Sequence, residues 1–174
     1  MYTLDRLVYE MLCRQGGVCY KCQKFENGYQ PAKFRNRLHC QLCAQACFKQ
    51  TFPVVTLYTN LGEEAIVHAI NQTEVEIVIT THELLPKFKD ILSKTPKVAC
   101  IIYMEDQIHE TDKSGYKSGV QLIGYKEVIE KGKVSYLHPT LPEPSDPAII
   151  MYTSGSTGVP KGSKLNILFY QIIK

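Results

Sequence analysis

Residues 152–162 read Tyr152-Thr153-Ser154-Gly155-Ser156-Thr157-Gly158-Val159-Pro160-Lys161-Gly162 and follow directly on the apolar run Ala148-Ile149-Ile150-Met151. The pattern is a strand emptying into a loop of unusual chemistry. Glycine reaches positive φ without a Cβ penalty and lets backbone amides come close to an anion. The hydroxyls of Thr153, Ser154, Ser156 and Thr157 add donors, and Lys161 adds a positive charge. Together they describe a phosphate cradle at the end of a strand. It is not a Walker A loop: five positions after Gly155 stands Pro160 and five after Gly158 stands Ser163, so the Gly-Lys-Ser/Thr ending is missing. The plain alternative is a surface turn, since Gly, Ser and Pro clusters commonly are turns.

Working back from this loop, the chain alternates between strand and helix patterns. Pro53-Val54-Val55-Thr56-Leu57-Tyr58 is a β-branched run closed by Asn60 and Gly62. In residues 63–71, Ala65, Ile66, Ala69 and Ile70 recur at helical spacing with Glu63 and Glu64 in the first turn, which predicts a helix with His68 on its polar face. Val75 to Thr80 predicts a second strand. A helix capped by Thr80 or Thr81 and running to Lys94 then carries Leu84, Leu85, Phe88, Ile91 and Leu92 on one side. Val98 to Tyr103 predicts a third strand, with Cys100 as an inert core thiol. Residues 106–119 are polar and read as a surface excursion, residues 125–130 as a short helix and residues 139–147 as a proline-rich connector. The order βαβαβ…β predicts an α/β fold, a parallel sheet with flanking helices and ligands at the carboxyl ends of the strands, where the glycine loop lies.

The string Ser154 to Gly162 closely resembles the first phosphate-binding motif of the adenylate-forming (AMP-binding) superfamily, which includes acyl-CoA synthetases, luciferases and peptide-synthetase adenylation domains. Three further runs, Thr56 to His68, Glu83 to Phe88 and Ile101 to Asp106, are similar to the long-chain fatty acid–CoA ligases within it. The resemblance covers residues 43–162. It implies a partial AMP-binding domain there, part of the large N-terminal domain of that fold, preceded by an unmatched Cys-rich segment over 1–42 and followed by an unmatched tail over 163–174. The family joins a long-chain fatty acid to coenzyme A through an acyl-adenylate, using ATP and Mg²⁺. By resemblance, Thr153, Ser154, Gly155, Ser156, Thr157, Gly158 and Lys161 hold the β- and γ-phosphates. The resemblance also implies a helix after the loop, and residues 163–174 do not continue that pattern. With the adenine pocket, the Mg²⁺-binding acid, the acyl tunnel and the catalytic lysine of the family unmatched, the expectation is a fragment inactive by itself, with no catalytic residue of its own.

Composition bounds the rest. With 174 residues, 44% hydrophobic and 21% charged, the chain is long and apolar enough for one folded domain. A net charge of +3 on scattered lysines does not suggest a nucleic-acid partner. No stretch reaches the roughly 18 apolar residues of a membrane span, and no leader pattern opens the chain, so it reads as cytosol-facing. The ligase family attaches to endoplasmic reticulum, mitochondrial outer or peroxisomal membranes through an anchor with no counterpart in these residues.

Six of the seven cysteines fall within residues 13–47. Cys19-x2-Cys22 and Cys40-x2-Cys43 have the spacing of a four-thiolate zinc site, the basis of an alternative reading as a zinc-binding or interaction module. The competing reading places Cys40, Cys43 and Cys47 at i, i+3 and i+7 on one helix face, where thiols pack as small apolar groups. Apart from the first helix-like stretch, Leu4 to Leu12, residues 1–42 show no clear period and are expected to be irregular.

Overall fold

Apolar side chains on alternating positions of extended chain demand cover on both faces of a sheet, and the protein supplies it with helices on each side. The computed structural model describes residues 18–22, 42–58, 61–106, 110–134, 138–153 and 160–168. Seven strands form one sheet: β1 (Val18–Cys22), β2 (Val54–Tyr58), β3 (Ile77–Thr81), β4 (Cys100–Met104), β5 (Gln121–Gly124), β6 (Pro147–Thr153) and β7 (Lys161–Asn166). Their spatial order is β5-β4-β3-β1-β2-β6-β7. The first six run parallel and β7 is antiparallel to β6. The expected α/β sheet is therefore present, and the loop that follows β6 leaves from the carboxyl edge shared by all six parallel strands.

Three strands depart from the sequence reading. The Cys-rich segment expected to be irregular contributes β1, which pairs with β2 on one side and β3 on the other and so occupies the middle of the sheet. β5 lies between the polar excursion 106–119 and the helix 125–130, in residues to which the sequence reading assigned no element, and β7 occupies residues where the resemblance implied a helix. The described residues beyond it, 167–168, are helical. A backbone ladder needs no apolar sequence where a strand sits at an edge, and β7 is largely exposed along its first four positions.

Among the described residues four helices cover the sheet: α1 (residues 42–48), α2 (Glu63–Gln72), α3 (Phe88–Ile91) and α4 (Tyr125–Val134). Two separate cores result, one on each face. In the first, Cys43, Ala46, Cys47 and Phe48 of α1 and Val128 of α4 meet Val54, Ile77, Ile79, Cys100 and Ile102. In the second, Ile66, Ala69 and Ile70 of α2 and Phe88 and Ile91 of α3 meet Val55, Leu57, Val78, Ile101 and Tyr103. The alternation along β2, β3 and β4 is the period of two that a sheet covered on both faces requires. As the helix periodicity predicts, His68 stays exposed while Ile66, Ala69 and Ile70 are buried.

β6 breaks its own alternation. A register shift between Pro147 and Ile149 leaves Ala148 and Ile149 on the first core and turns Ile150 and Tyr152 onto the second. A bulge re-aims every side chain beyond it. Tyr152 thereby comes to lie on the face that α2 covers.

The helix expected from Thr80 or Thr81 to Lys94 is shorter and of changing pitch. Residues 85–87 and 92–94 are 3₁₀, flanking the single α turn of α3, and no side chain caps the start. Thr80 and Thr81 belong to β3 instead, where their hydroxyls are buried without a hydrogen-bond partner. α1 and α2 stop in the same way. Phe52 N–H bonds Cys47 C=O at 3.0 Å and Val75 N–H bonds Ile70 C=O at 3.1 Å, with Thr51 at φ +59° and Glu74 at φ +54° between. This is the Schellman termination with a non-glycine residue in the left-handed position, which is why no glycine in the sequence announced it. α4 starts under a carboxylate: Lys126 N–H donates to the two Glu105 oxygens at 3.1 and 3.3 Å.

Candidate functional site

The glycine loop joins two strands that pair antiparallel. β6 ends at Thr153 and β7 begins at Lys161, and these two residues are register partners, as are Tyr152 with Gly162 and Met151 with Ser163. Sequence analysis named Thr153, Ser154, Gly155, Ser156, Thr157, Gly158 and Lys161. Thr153 closes one strand of the stem and Lys161 opens the other, so the two ends of the cradle are brought face to face. Ser154, Gly155, Ser156, Thr157 and Gly158 lie outside the described residues. Lys161 is exposed and Pro160 before it is half-buried. A primary ammonium held at the mouth of a loop at the carboxyl edge of a parallel sheet can act as a point charge toward an anion there.

One residue before the stem pair, Tyr152 is the largest of the fully buried side chains among the described residues, 1% exposed. Its hydroxyl donates to Gln72 Oε1 at 2.6 Å, tying β6 to the last residue of α2. Across the hairpin, a Cβ on Gly162 would stand 3.0 Å from Tyr152 Cζ, 3.2 Å from Cε2 and 3.3 Å from Ile150 Cγ2. Gly162 is therefore a glycine for space, since the tyrosine ring occupies the volume a side chain would take. Sequence reading counted Gly162 among the loop glycines that reach positive φ, whereas its backbone is not in that region, and it missed Gln72, which stands 80 positions before its partner.

Farther along the carboxyl edge lies a second polar group. His82 Nδ1 is 2.9 Å from Thr111 Oγ1. Asp112 accepts hydrogen bonds from Ser114 Oγ at 2.6 Å, Ser114 N–H at 2.8 Å and Lys89 Nζ at 2.9 Å. The Ser114 and Lys89 donors hold the Asp112 carboxyl well below the usual carboxylate range. Lys89 Nζ also lies 5.2 Å from the centroid of the Tyr116 ring. These contacts fasten the polar excursion 110–119 to α3 and are structural in character.

The cysteines divide between sheet and helix. Cys19 and Cys22 fall in the extended backbone of β1, whereas a thiolate knuckle turns tightly between its two ligands. Cys43 is 1% exposed and Cys47 0% exposed within the first core, as the helix-face reading expects for them, and Cys40 lies outside the described residues. Among the described residues no group of three or more His, Cys, Asp or Glu side chains could hold a metal ion. Burial pushes the Cys100 thiol up to about 11, in keeping with an inert core group.

The family model for AMP-binding enzymes matches residues 34–167. The chain belongs to the AMP-binding enzyme family. Its curated relatives include long-chain acyl-CoA ligases. Long chain acyl-CoA synthetase 8 of Arabidopsis thaliana is 38% identical over 120 residues, 68% of this chain and 17% of the relative. Long-chain-fatty-acid–CoA ligase 1 of Cavia porcellus is 32% identical over 159 residues, 84% of this chain and 22% of the relative. The chain thus spans about a fifth of the length of the curated relatives it matches. Among solved structures, the A-PCP didomain of a carboxylic acid reductase from Segniliparus rugosus, in complex with AMP, superposes with a TM-score of 0.71 over 94% of this chain and 24% of that one at 15% identity. An anthranilate CoA ligase in complex with anthranoyl-AMP gives a TM-score of 0.69 over 94% of this chain and 27% of that one, at 16% identity. At such identities the likeness is one of fold. No helix among the described residues of this AMP-binding chain is long and apolar enough to cross a membrane.

Proposed function

We propose that this AMP-binding chain carries the phosphate-gripping part of an ATP-dependent long-chain fatty acid–CoA ligase. The observation that supports the reading is the hairpin stem, which sets Thr153 and Lys161 opposite one another at the carboxyl edge of six parallel strands, around the residues 154–158 whose hydroxyls and amides suit phosphate. In the reaction, a fatty acid carboxylate attacks the α-phosphorus of ATP and pyrophosphate leaves. The thiol of coenzyme A then attacks the acyl carbonyl and AMP leaves. This residue set contributes grip on the β- and γ-phosphates: Lys161 supplies charge, and Thr153, Ser154, Ser156 and Thr157 supply hydroxyl donors with the amides of Gly155 and Gly158. Mg²⁺ beside these phosphates would neutralise the leaving pyrophosphate. Holding the triphosphate in place is the larger part of catalysis in such displacements, because no protein nucleophile is consumed.

Among the described residues no cluster of carboxylates is placed to hold Mg²⁺, and the chain spans about a fifth of its relatives. The 174 residues by themselves are therefore expected to bind the triphosphate without completing either half-reaction. Two measurements test this. MgATP should raise the melting temperature of the chain, and Lys161→Ala should abolish the rise; equal stabilisation of both proteins removes the loop from the reading. Fatty-acid-dependent exchange of pyrophosphate into ATP by the 174-residue chain would overturn the expectation of incompleteness.

A further inference from the structure

Tyr152 sits one position before the loop stem closes, and the polar end of a buried ring in that place needs an explanation. A phenylalanine would serve the same apolar core, whose members include Leu57, Ile66 and Ile70. The hydroxyl instead reaches Gln72 at 2.6 Å, and the ring lies against the bare Cα of Gly162 on the opposite strand. Three elements meet at this one side chain: β6 through its backbone, β7 through Gly162 and α2 through Gln72. The next register pair outward is Thr153 with Lys161.

We propose that Tyr152, Gln72 and Gly162 form an anchor that sets the position of the phosphate loop stem, so that Tyr152 and Gln72 are positioning residues for Lys161. The proposal rests on the reading of the loop as a phosphate cradle. Its physical content is simple. β7 is an edge strand held to the sheet by β6 alone, and its first four residues are exposed, so few side-chain contacts fix where Lys161 stands. The ring on Gly162 clamps β7 against β6 one residue from Lys161. The Tyr152–Gln72 hydrogen bond fixes the ring by tying it to a packed helix. Loss of the hydroxyl keeps the apolar packing and releases the ring from α2. The stem then opens more often, and the ammonium is spread over more positions.

The test uses the 174-residue chain and two readouts. Native-state trypsin cleavage after Lys161, followed by mass spectrometry, reports opening of the stem; cleavage after Lys117 in the exposed 110–119 excursion serves as the internal reference. Affinity for inorganic tripolyphosphate with Mg²⁺ reports the cradle. Tyr152→Phe and Gln72→Leu should each speed cleavage after Lys161 and weaken tripolyphosphate binding by about fivefold, the equilibrium factor for one net hydrogen bond. The double variant should be no worse than either single one. Gln72→Glu, which retains an acceptor oxygen, should stay near the parent. Unchanged cleavage after Lys161, or equal acceleration after Lys117, overturns the anchor in favour of plain core packing. Faster cleavage with unchanged tripolyphosphate affinity overturns the positioning role. A parent chain that does not bind tripolyphosphate sinks the cradle reading and the positioning role with it, while the trypsin arm still decides whether the anchor exists.

Discussion

Replacing Gly124 with alanine adds one methyl group at the turn from β5 into α4, where the backbone φ is one that alanine adopts without strain. The methyl would collide with Glu105 Oε1 and stand 3.0 Å from its Cδ and 3.4 Å from its Cγ. That carboxylate accepts from Lys126 N–H at the start of α4, so it cannot swing aside without giving up the cap. Loss of a capping side chain costs about 1 kcal/mol, and crowding a packed site costs about 1–3 kcal/mol. Against these, alanine narrows the unfolded ensemble and contributes about 0.4–1 kcal/mol. Gly124→Ala should therefore destabilise by about 1.5 kcal/mol, and Glu105→Ala by about 1 kcal/mol from the lost cap. In the Glu105→Ala background the obstructing atoms are gone, and the same Gly124→Ala change should stabilise by about 0.5 kcal/mol. The double-mutant cycle thus carries a coupling of about 2 kcal/mol and a change of sign. Urea unfolding followed by far-ultraviolet circular dichroism, at constant m-value, measures all four proteins. Additive effects, with Gly124→Ala costing the same in both backgrounds, would refute the argument that the glycine is there to admit the carboxylate.

Glu74→Gly should raise stability by about 0.5 kcal/mol in the same urea assay, because Glu74 holds the left-handed position after α2 at φ +54° and its ion pair with Lys97 is exposed. The stability advantage of the parent over Cys100→Ala should shrink as pH rises from about 8.5 toward about 11. Burial raises the thiol in the folded chain, so between those values the unfolded chain releases the proton and the folded one keeps it; the difference measured at pH 8 should exceed that at pH 10.5.

Where burial wrote the pattern, the sequence was readable. β2, β3, β4 and the apolar half of β6 are runs of β-branched and aliphatic residues because helices cover both of their faces, and the α2 face follows from Ile66, Ala69 and Ile70. β7, with Lys161, Gly162, Ser163 and Lys164 exposed, is held by backbone pairing to β6 and carries no apolar signature. β1 was hidden for another reason: Val18-Cys19-Tyr20-Lys21-Cys22 is five residues long and its cysteine spacing invites a metal reading. The expected cap at Thr80 or Thr81 failed because both residues pair in β3, tertiary placement overriding a local preference. The glycine loop stood out by its residue types alone. Its stem was not, because the contact between Tyr152 and Gln72 joins distant parts of the chain, and the space that Gly162 leaves is visible only once the ring is seen to fill it.

The middle position of β1 has a consequence for how the protein comes into being. It is the first of the described strands to leave the ribosome, yet its partners are residues 54–58 and 77–79. β2 and β3 do not pair with each other; the seam between the two wings of the sheet is this one strand. Every crossover that follows must find a template already waiting, and the chain must keep that template unpaired while some thirty residues are added, the slow kind of closure that parallel sheets impose. A chaperone, or a neighbouring chain, that occupied β1 during that interval would keep the wings apart at their root.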